Sequence, residues 1–167
     1  MAIVKSIVLL LLLLPCQLQA LSTDRDQPIE VEADELEVRE LDRISIYLGN
    51  VNLVQGSLEI NADRVVLHFD EANELTLMEM TGRPATVRQL DDNQKEIWGE
   101  AKQIDYTQSK SLLELRDSAR LTHEGNIIES DLITINTESS RFHAGSIESD
   151  QRVKMLIQPQ QDSAVSE

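Results

Sequence analysis

The sequence is poor in cysteine, in aromatic residues and in positive charge. Cys16 is its only cysteine, so the rest of the chain can form no internal disulfide and must be stabilised by a packed core. Aromatic residues make up 3% of the chain, and that core is therefore aliphatic. The chain has 15 Lys and Arg against 30 Asp and Glu, a formal net charge of −15. This charge argues against nucleic acid as a partner and against electrostatic docking on an anionic membrane.

Residues 1–20 are predicted to be a cleaved secretory signal peptide. A single basic residue, Lys5, precedes an apolar run over residues 7–14, and Ala20 supplies the small residue at the cleavage site. The apolar run is too short to cross a membrane, which takes about 20 apolar residues. We therefore predict an exported protein that is released from its leader.

The mature chain is predicted to be one domain. Removal of residues 1–20 leaves 147 residues and, with the loss of Lys5, changes the net charge from −15 to −16. Residues 21–157 are assigned to the domain, since this length suffices for one hydrophobic core. The polar segment 158–167 is predicted to be a disordered tail.

Apolar and polar residues alternate along most of the domain, and helical spacing is nearly absent. In five places, the inward-facing residues change from odd to even numbers or the reverse. Each change predicts a bulge or a corner, because one extra residue turns every later side chain to the opposite face. These places are Asp34–Glu35, Gly49–Asn50, Asp63–Arg64, Lys102–Gln103 and Asp131–Leu132. Four of them follow a small residue, at spacings of 29, 39 and 29 residues. Unequal spacings disfavour a parallel β-helix and favour an all-β fold of strands that turn corners between two facing sheets.

The domain is predicted to consist of two similar halves. At an offset of 68 residues, apolar positions of the first half fall on apolar positions of the second: Val51, Leu53, Ile60 and Val65 fall on Ala119, Leu121, Ile128 and Ile133. Aliphatic side chains facing one another across such a fold either interdigitate completely or leave an apolar slot. The residues alone leave this choice open.

No catalytic or metal-binding pattern emerges. Asp34, Asp63 and Asp131 recur at the predicted corners, but no Asp-x-Asp-x-Asp cluster surrounds them as a calcium loop would require. We expect these carboxylates to accept hydrogen bonds from backbone N–H groups at the corners. The three histidines lack ligand spacing, and no Gly-x-Ser-x-Gly motif is present. The prediction is a protein that is not an enzyme and holds no metal or cofactor.

Four motifs, in this order, resemble the OstA-like family of periplasmic lipopolysaccharide-transport proteins. They are residues 27–34 (QPIEVEAD), 49–63 (GNVNLVQGSLEINAD), 82–86 (GRPAT) and 100–106 (EAKQIDY). The resemblance covers roughly residues 27–157. It implies an antiparallel β-jellyroll folded as a V, whose apolar interior holds the lipid A acyl chains of lipopolysaccharide. It also implies head-to-tail stacking of copies between an LptC-like inner-membrane protein and an LptD-like outer-membrane protein.

The resemblance also assigns candidate residues to the lipid path. Ile29, Val31, Val87 and Tyr106 match positions that line this path in the family. Further inward residues that could line the path or simply pack are Val51, Leu53, Leu121 and Phe142. Acyl burial at about 0.8 kcal/mol per methylene would then drive binding.

The first and last strands are expected to be open edges to which another chain adds a strand. The predicted contact with the upstream partner consists of Pro28, Ile29 and Val31, and the contact with the next copy consists of Val153, Met155 and Ile157. Two hypotheses from other classes stand beside a lipid carrier. One is a structural scaffold with a filled core, and the other is a carbohydrate-active β-helix enzyme, which the unequal spacings disfavour.

Overall fold

The structure is a computed structural model, and it describes residue 24 and residues 27–91, 93–139, 141–145 and 151–159. The predicted signal peptide, residues 1–20, lies outside the described residues. So does most of the predicted tail, residues 160–167. Within the described ranges, no helix is long and apolar enough to span a membrane.

Nearly all of the described chain is β-strand, which confirms the all-β prediction. The strands are β1 (Glu30–Glu32), β2 (Glu35–Arg39), β3 (Ile44–Gln55), β4 (Leu58–Phe69), β5 (Leu75–Leu90), β6 (Glu96–Thr107), β7 (Leu112–His123), β8 (Asn126–Asn136), β9 (Arg141–Ala144) and β10 (Lys154–Leu156). A 3-10 helix, Gln108–Lys110, connects β6 to β7.

All ten strands belong to one antiparallel sheet. Strands β3 to β8 follow one another in chain order, each paired with the next. At one end of the sheet, β1 and β2 both pair with β3, and at the other end β9 and β10 both pair with β8. The two predicted facing layers are therefore two parts of one continuous sheet.

A crease divides this sheet into two arms. Every pair from β3–β4 to β7–β8 has a register shift at the same level, for example between Leu48 and Val51 in the first pair and between Arg116 and Ala119 in the last. The β4–β5 pair has a second shift, between His68 and Phe69. We call the part that contains β1 and β10 arm A, and the part that contains β2 and β9 arm B. Bulges bend a sheet and increase its twist, so a row of them folds the sheet along one line.

Small side chains line the inside of the crease. The residue next to the register shift on the arm A side is alanine in four successive strands and serine in the fifth: Ala62, Ala85, Ala101, Ala119 and Ser130. All five are at most 9% exposed. Two faces of a folded sheet come closest at the fold, where larger side chains would hold them apart.

The arms pack against each other away from the crease. Gly99 lies in arm A, and a Cβ atom at this position would be 2.8 Å from the Cδ2 atom of Leu115 in arm B. The main core lies on the inner face and contains fully buried residues from both arms, such as Leu53 and Leu121 in arm A and Ile104 and Ile133 in arm B. The V shape predicted from the resemblance fits this arrangement.

Four of the five predicted parity changes are confirmed, and the one at Gly49–Asn50 is wrong. In β4, β6 and β8 the inward residues change parity across the crease, as they do between β1 and β2. In β3, by contrast, Tyr47 pairs with Val65 of the core, and Val51 continues on the same face. The crease inserts two residues into this strand, and an even insertion preserves the parity. Ile46, expected to face inward, therefore packs on the outer face.

Two of the three corner carboxylates, those of Asp34 and Asp63, contact side chains instead of the predicted backbone groups. The Asp34 carboxylate accepts a hydrogen bond from the Asn50 side-chain amide at 2.8 Å, and the Asp63 carboxylate accepts one from Arg83 Nε at 3.0 Å. Side chains, rather than the expected backbone N–H groups, supply these donors. Asp63 and Arg83 belong to neighbouring strands, so their ion pair bridges β4 and β5 at the crease.

The internal repeat is visible in the strand register. Val31 pairs with Leu53 and Leu53 with Ile60; at an offset of 68, Gly99 pairs with Leu121 and Leu121 with Ile128. The turns repeat as well: Phe69 N–H donates to the Arg43 carbonyl at 2.9 Å, and Thr137 N–H donates to the Ser111 carbonyl at 2.8 Å. Each half contributes four successive places to the sheet, if the short strand pairs β1 with β2 and β9 with β10 are each counted as one place. The pair β9 and β10 in the second half corresponds to β5 in the first.

Candidate functional site

A cavity of about 450 Å³ lies between the two arms. This volume is within the range of about 300 to 1,000 Å³ typical of ligand pockets. The structure thus answers the question that the sequence left open, since the arms leave a slot instead of filling the interior. A scaffold with a completely filled core does not fit this cavity.

Apolar side chains of both arms form the walls. The arm A wall consists of Ile29, Leu58, Ile60 and Val87, and the arm B wall of Leu75, Met78, Met80, Tyr106 and Leu113. The strand register explains their common direction. Ile60 pairs with Val87 in arm A, and Met78 pairs with Tyr106 and Tyr106 with Leu113 in arm B. Side chains directly opposite each other in paired strands lie on the same face of the sheet.

Polar side chains are gathered at the ends of the slot: Asp24, Gln27, Gln55, Glu74, Gln89, Gln108 and Thr137. Met78 and Met80 are unbranched and polarizable, so they can adapt to an irregular ligand. The lining combines a hydrophobic interior with polar groups at its margin, and neither a His nor a Cys is among the lining residues. Such a site can take up a hydrocarbon chain whose polar end remains near the margin.

An N-terminal segment covers one end of the slot. The buried Asp24 carboxylate accepts hydrogen bonds from Ser57 N–H at 3.0 Å, from Ser57 Oγ at 2.6 Å and from Gln89 Nε2 at 3.2 Å. Gly56 permits this approach, because a Cβ atom there would lie 2.3 Å from Asp24 Oδ1. The Gln27 carbonyl accepts a further hydrogen bond from Gln55 Nε2 at 3.0 Å. The segment is thus fixed to the β3–β4 and β5–β6 hairpins.

On the other side of the slot, His123 of arm A approaches Phe142 of arm B. Their ring centroids are 6.1 Å apart, and His123 Nε2 lies 2.9 Å from Asp91 Oδ2. The backbone N–H of Lys95, which donates to Asp91, lowers the pKa of this carboxyl, and hydrogen bonds from His123 and from the Asn93 backbone lower it further against the opposing effect of burial. Asp91 therefore holds the β5–β6 turn and orients the His123 ring.

The eight residues predicted to bind lipid fall into two groups. Ile29, Val87 and Tyr106 line the cavity. The other five pack around it instead: Val51, Leu53 and Leu121 are buried in the core, while Val31 and Phe142 are partly buried against that core. Their assignment to lipid stays a prediction.

Sequence reasoning missed much of the arm B wall. Met78 and Leu113 have the correct inward parity, but parity does not distinguish a side chain that packs from one that borders empty space. Leu75 has the opposite parity to Met78, and a register shift between His68 and Phe69 brings it onto the same face. Gly99 was also missed as a packing residue, although it faces Leu115 across the two arms. A glycine within an alternating strand is a usable signal, since it often marks a close approach.

The predicted partner-binding residues lie on the two outer edges of the sheet. β1 and β10 are the end strands, and in the part of the chain that the structure describes, each pairs with another strand on one side only. Val153, Met155 and Ile157 are 45%, 58% and 69% exposed. Pro28 is exposed, while Ile29 and Val31 are partly buried at the opposite edge. The geometry leaves both edges accessible, and their role in binding a partner stays a prediction.

No group of three or more His, Cys, Asp or Glu side chains that could hold a metal ion occurs among the described residues. The three predicted corner aspartates are separated along the crease: Asp34 lies between β1 and β2, Asp63 in β4 and Asp131 in β8. The arrangement offers an apolar slot and two open edges as its functional features.

Comparison with known proteins agrees with the fold. The family described as LptA/(LptD N-terminal domain) LPS transport protein matches residues 30–141. The lipopolysaccharide export system protein LptH of Pseudomonas aeruginosa is 31% identical over 149 residues, which cover 84% of each chain. LptA of Escherichia coli K12 is 32% identical over 143 residues, which cover 85% of this chain and 77% of the relative.

A solved structure supports the same assignment. The crystal structure of LptH, named as the LptA-homologous periplasmic component of the lipopolysaccharide transport device of P. aeruginosa, superposes with a TM-score of 0.76 at 28% identity. The superposition covers 82% of this chain and 99% of that chain. The chain therefore belongs to the family of LptA and LptD N-terminal domain lipopolysaccharide-transport proteins.

Proposed function

We propose that this protein is a non-enzymatic carrier that passes lipopolysaccharide across the periplasm. The observation that carries the proposal is the cavity of about 450 Å³ between the two arms, which has apolar walls and a polar margin. The acyl chains of lipid A occupy this slot, and the sugar and phosphate groups remain in solvent at its polar margin. The relatives are named lipopolysaccharide export proteins, which agrees with this role.

Acyl burial supplies the favourable free energy in this proposal. Each methylene transferred from water contributes about 0.8 kcal/mol, so about ten methylenes contribute about 8 kcal/mol before the entropic losses of binding. Headgroup attraction cannot replace this contribution, because the net charge is −15 and lipopolysaccharide is also anionic. Asp24 and Glu74 at the slot margin repel phosphate groups rather than bind them. Weak headgroup affinity favours onward transfer.

The open edges support a bridge of several copies. An edge strand presents unpaired backbone groups to which another chain can add a strand. With β1 at one end of the sheet and β10 at the other, copies that join head to tail form an open chain. In the proposed bridge, the β1 edge meets an LptC-like inner-membrane protein and the β10 edge an LptD-like outer-membrane protein. Residues 1–20 act as the cleaved signal that directs the protein to the periplasm.

Photo-crosslinking in cells tests the lipid site. A photoreactive residue at Val87 or Ile29 should form an adduct with lipopolysaccharide, because both side chains line the cavity. The neighbouring positions Arg88 and Glu30 are matched controls, since both are exposed and project to the outer face of the same strands. Equal labelling of the inner and outer positions would refute the slot assignment.

Light scattering and binding to an LptC-like domain test the bridge separately. We expect association that increases with protein concentration, together with binding of the LptC-like domain. A monomer at all accessible concentrations that also fails to bind this domain would contradict stacking.

A further inference from the structure

The polar margin of the slot consists mainly of uncharged groups, although the chain has 30 Asp and Glu and 15 Lys and Arg. Among the described residues that line the cavity, the polar side chains are four glutamines, one threonine and two carboxylates, with no lysine or arginine. A site that binds phosphate uses Arg or Lys donors instead. The composition of this margin therefore points to a ligand group that is polar but uncharged.

Strand alternation explains why these neutral side chains reach the slot. Each lies near a strand end, two residues from an inner apolar residue. Gln27 precedes Ile29, Gln55 follows Leu53, Gln89 follows Val87, Gln108 follows Tyr106 and Thr137 follows Ile135. Side chains two positions apart in an extended chain project to the same face. The inner face of both arms thus changes from hydrocarbon to amide and hydroxyl groups at the margin.

Hydrogen bonds hold two of the amides in place on the arm A side. Gln55 Nε2 donates to the Gln27 carbonyl at 3.0 Å, and Gln89 Nε2 donates to the Asp24 carboxylate at 3.2 Å. A primary amide has two N–H donors, so the bond to Asp24 fixes Gln89 and leaves it a second donor. Gln108 contributes a further amide on the arm B side.

The two carboxylates determine which charge the margin accepts. Asp24 is 7% exposed and accepts hydrogen bonds from Ser57 and Gln89, while Glu74 is exposed on the arm B side. Both charges are negative, and like charges repel, most strongly where water is excluded. A ligand carboxylate at the margin would also lose hydration without gaining a cationic partner. A neutral carbonyl group carries neither penalty.

We infer that this margin selects acyl chains whose carbonyl carbon is held in an amide or ester linkage, and that it rejects chains ending in a free carboxylate. The N–H groups of Gln89 and Gln108 donate to the linkage carbonyl, while the hydrocarbon chain lies against Val87 and Tyr106. The inference rests on the proposed carrier function and adds to it the group that the margin recognises.

Two amphiphiles with the same ten-carbon acyl chain test this selectivity on the unmodified protein. Decanoyl-N-methylglucamide carries the chain in a neutral amide, and decanoate is ionised at neutral pH. In isothermal titration calorimetry below the micellar concentrations, the amide should bind about tenfold more tightly than decanoate. Equal affinities, or tighter binding of decanoate, would overturn the inference and leave the carrier function intact. Binding of neither amphiphile would refute the acyl slot itself, and the carrier function with it.

A substitution at the margin tests the role of the amides. Gln108→Leu keeps a side chain of similar size but removes the N–H donors, so affinity for the glucamide should fall several-fold while affinity for decanoate is unchanged. The matched control is Gln158→Leu, because Gln158 is exposed and is not among the lining residues. An equal change in both variants, or none at Gln108, would contradict recognition by the amide.

Competition distinguishes the two sources of linked acyl chains. Purified lipopolysaccharide and a short-chain phosphatidylethanolamine both carry such linkages, and each is added to the protein with the glucamide bound. Displacement by lipopolysaccharide, with or without displacement by the phospholipid, is the expected result. Displacement by the phospholipid alone would support the linkage preference and refute the lipopolysaccharide carrier. Displacement by neither would overturn the inference.

Discussion

The same substitution, leucine to alanine, should have very different effects at Leu53 and at Leu58. Leu53 is 0% exposed and belongs to the main core. Its truncation removes three carbon groups, about 2.4 kcal/mol of transfer free energy at about 0.8 kcal/mol each. A new closed cavity adds to this loss, and the expected total is about 3 to 4 kcal/mol.

Leu58 is only partly buried and borders the slot. Truncation there enlarges a space that already exists and creates no new closed cavity. The cavity contribution is therefore absent, part of the side chain is already hydrated, and the expected loss is about 1 kcal/mol. The difference between the two variants, about 2 to 3 kcal/mol, measures whether the slot is open in solution.

Urea unfolding followed by the fluorescence of Trp98, the only tryptophan, is a suitable assay. With an m value of about 2 kcal/mol/M, the unfolding midpoint should fall by about 1.5 to 2 M for Leu53→Ala and by about 0.5 M for Leu58→Ala. Added lipopolysaccharide should raise the midpoint of Leu53→Ala as it does that of the unmodified protein, and should raise that of Leu58→Ala less. Equal losses at the two positions would mean that the arms close and fill the slot, and would refute the reasoning.

Three further predictions concern the turn, the N-terminal segment and the crease. The hydrogen bond from the Lys95 N–H lowers the pKa of Asp91 in the folded protein. The ionised carboxylate therefore stabilises the fold above the unfolded pKa of about 4, and this stabilisation is lost as the pH falls through the folded pKa. In urea unfolding, Asp91→Asn should lower the free energy of unfolding at pH 7 and make that free energy decrease less steeply as the pH is lowered. Gly56→Ala should displace Asp24, because its Cβ atom would lie 2.3 Å from Oδ1, and should speed amide exchange in the β3–β4 turn. Ala85→Leu should destabilise the fold by about 1 to 3 kcal/mol, because it overpacks the crease.

Each of these predictions has a control in the same chain. For the turn, Asp70→Asn removes a similar aspartate that holds the β4–β5 turn without a histidine partner. Gly125→Ala shares the strain of a positive φ but meets only Gln158, at 3.3 Å; equal exchange in both glycine variants would argue against the Asp24 contact. Thr86→Leu places a leucine on the outer face next to Ala85, and an equal loss there would contradict the crease argument.

The fold could be predicted from the sequence to a large extent, because local patterns determine it. Period-two alternation sets the strand class, and a small residue followed by a parity change marks the crease in β4, β6 and β8. The offset of 68 residues identifies the two halves, which the register confirms. These features depend on which neighbours a residue has along the chain. The prediction of the inward residues in β3 was wrong because the outer face of this strand is also apolar, with Ile46 and Val66 buried there. Alternation cannot tell which of two apolar faces is the inner one.

The slot, in contrast, was decided by tertiary structure. The sequence alone determined that the inward residues are aliphatic, and it supplied the family resemblance that named Ile29, Val87 and Tyr106. Whether an inward side chain packs or borders a cavity depends on the distance between the arms, which is set by residues far apart in the chain. Leu53 and Leu58 lie five positions apart, yet only Leu58 reaches the slot. The angle of the crease and the contacts across it determine that difference, and neither is written in the periodicity of any single strand.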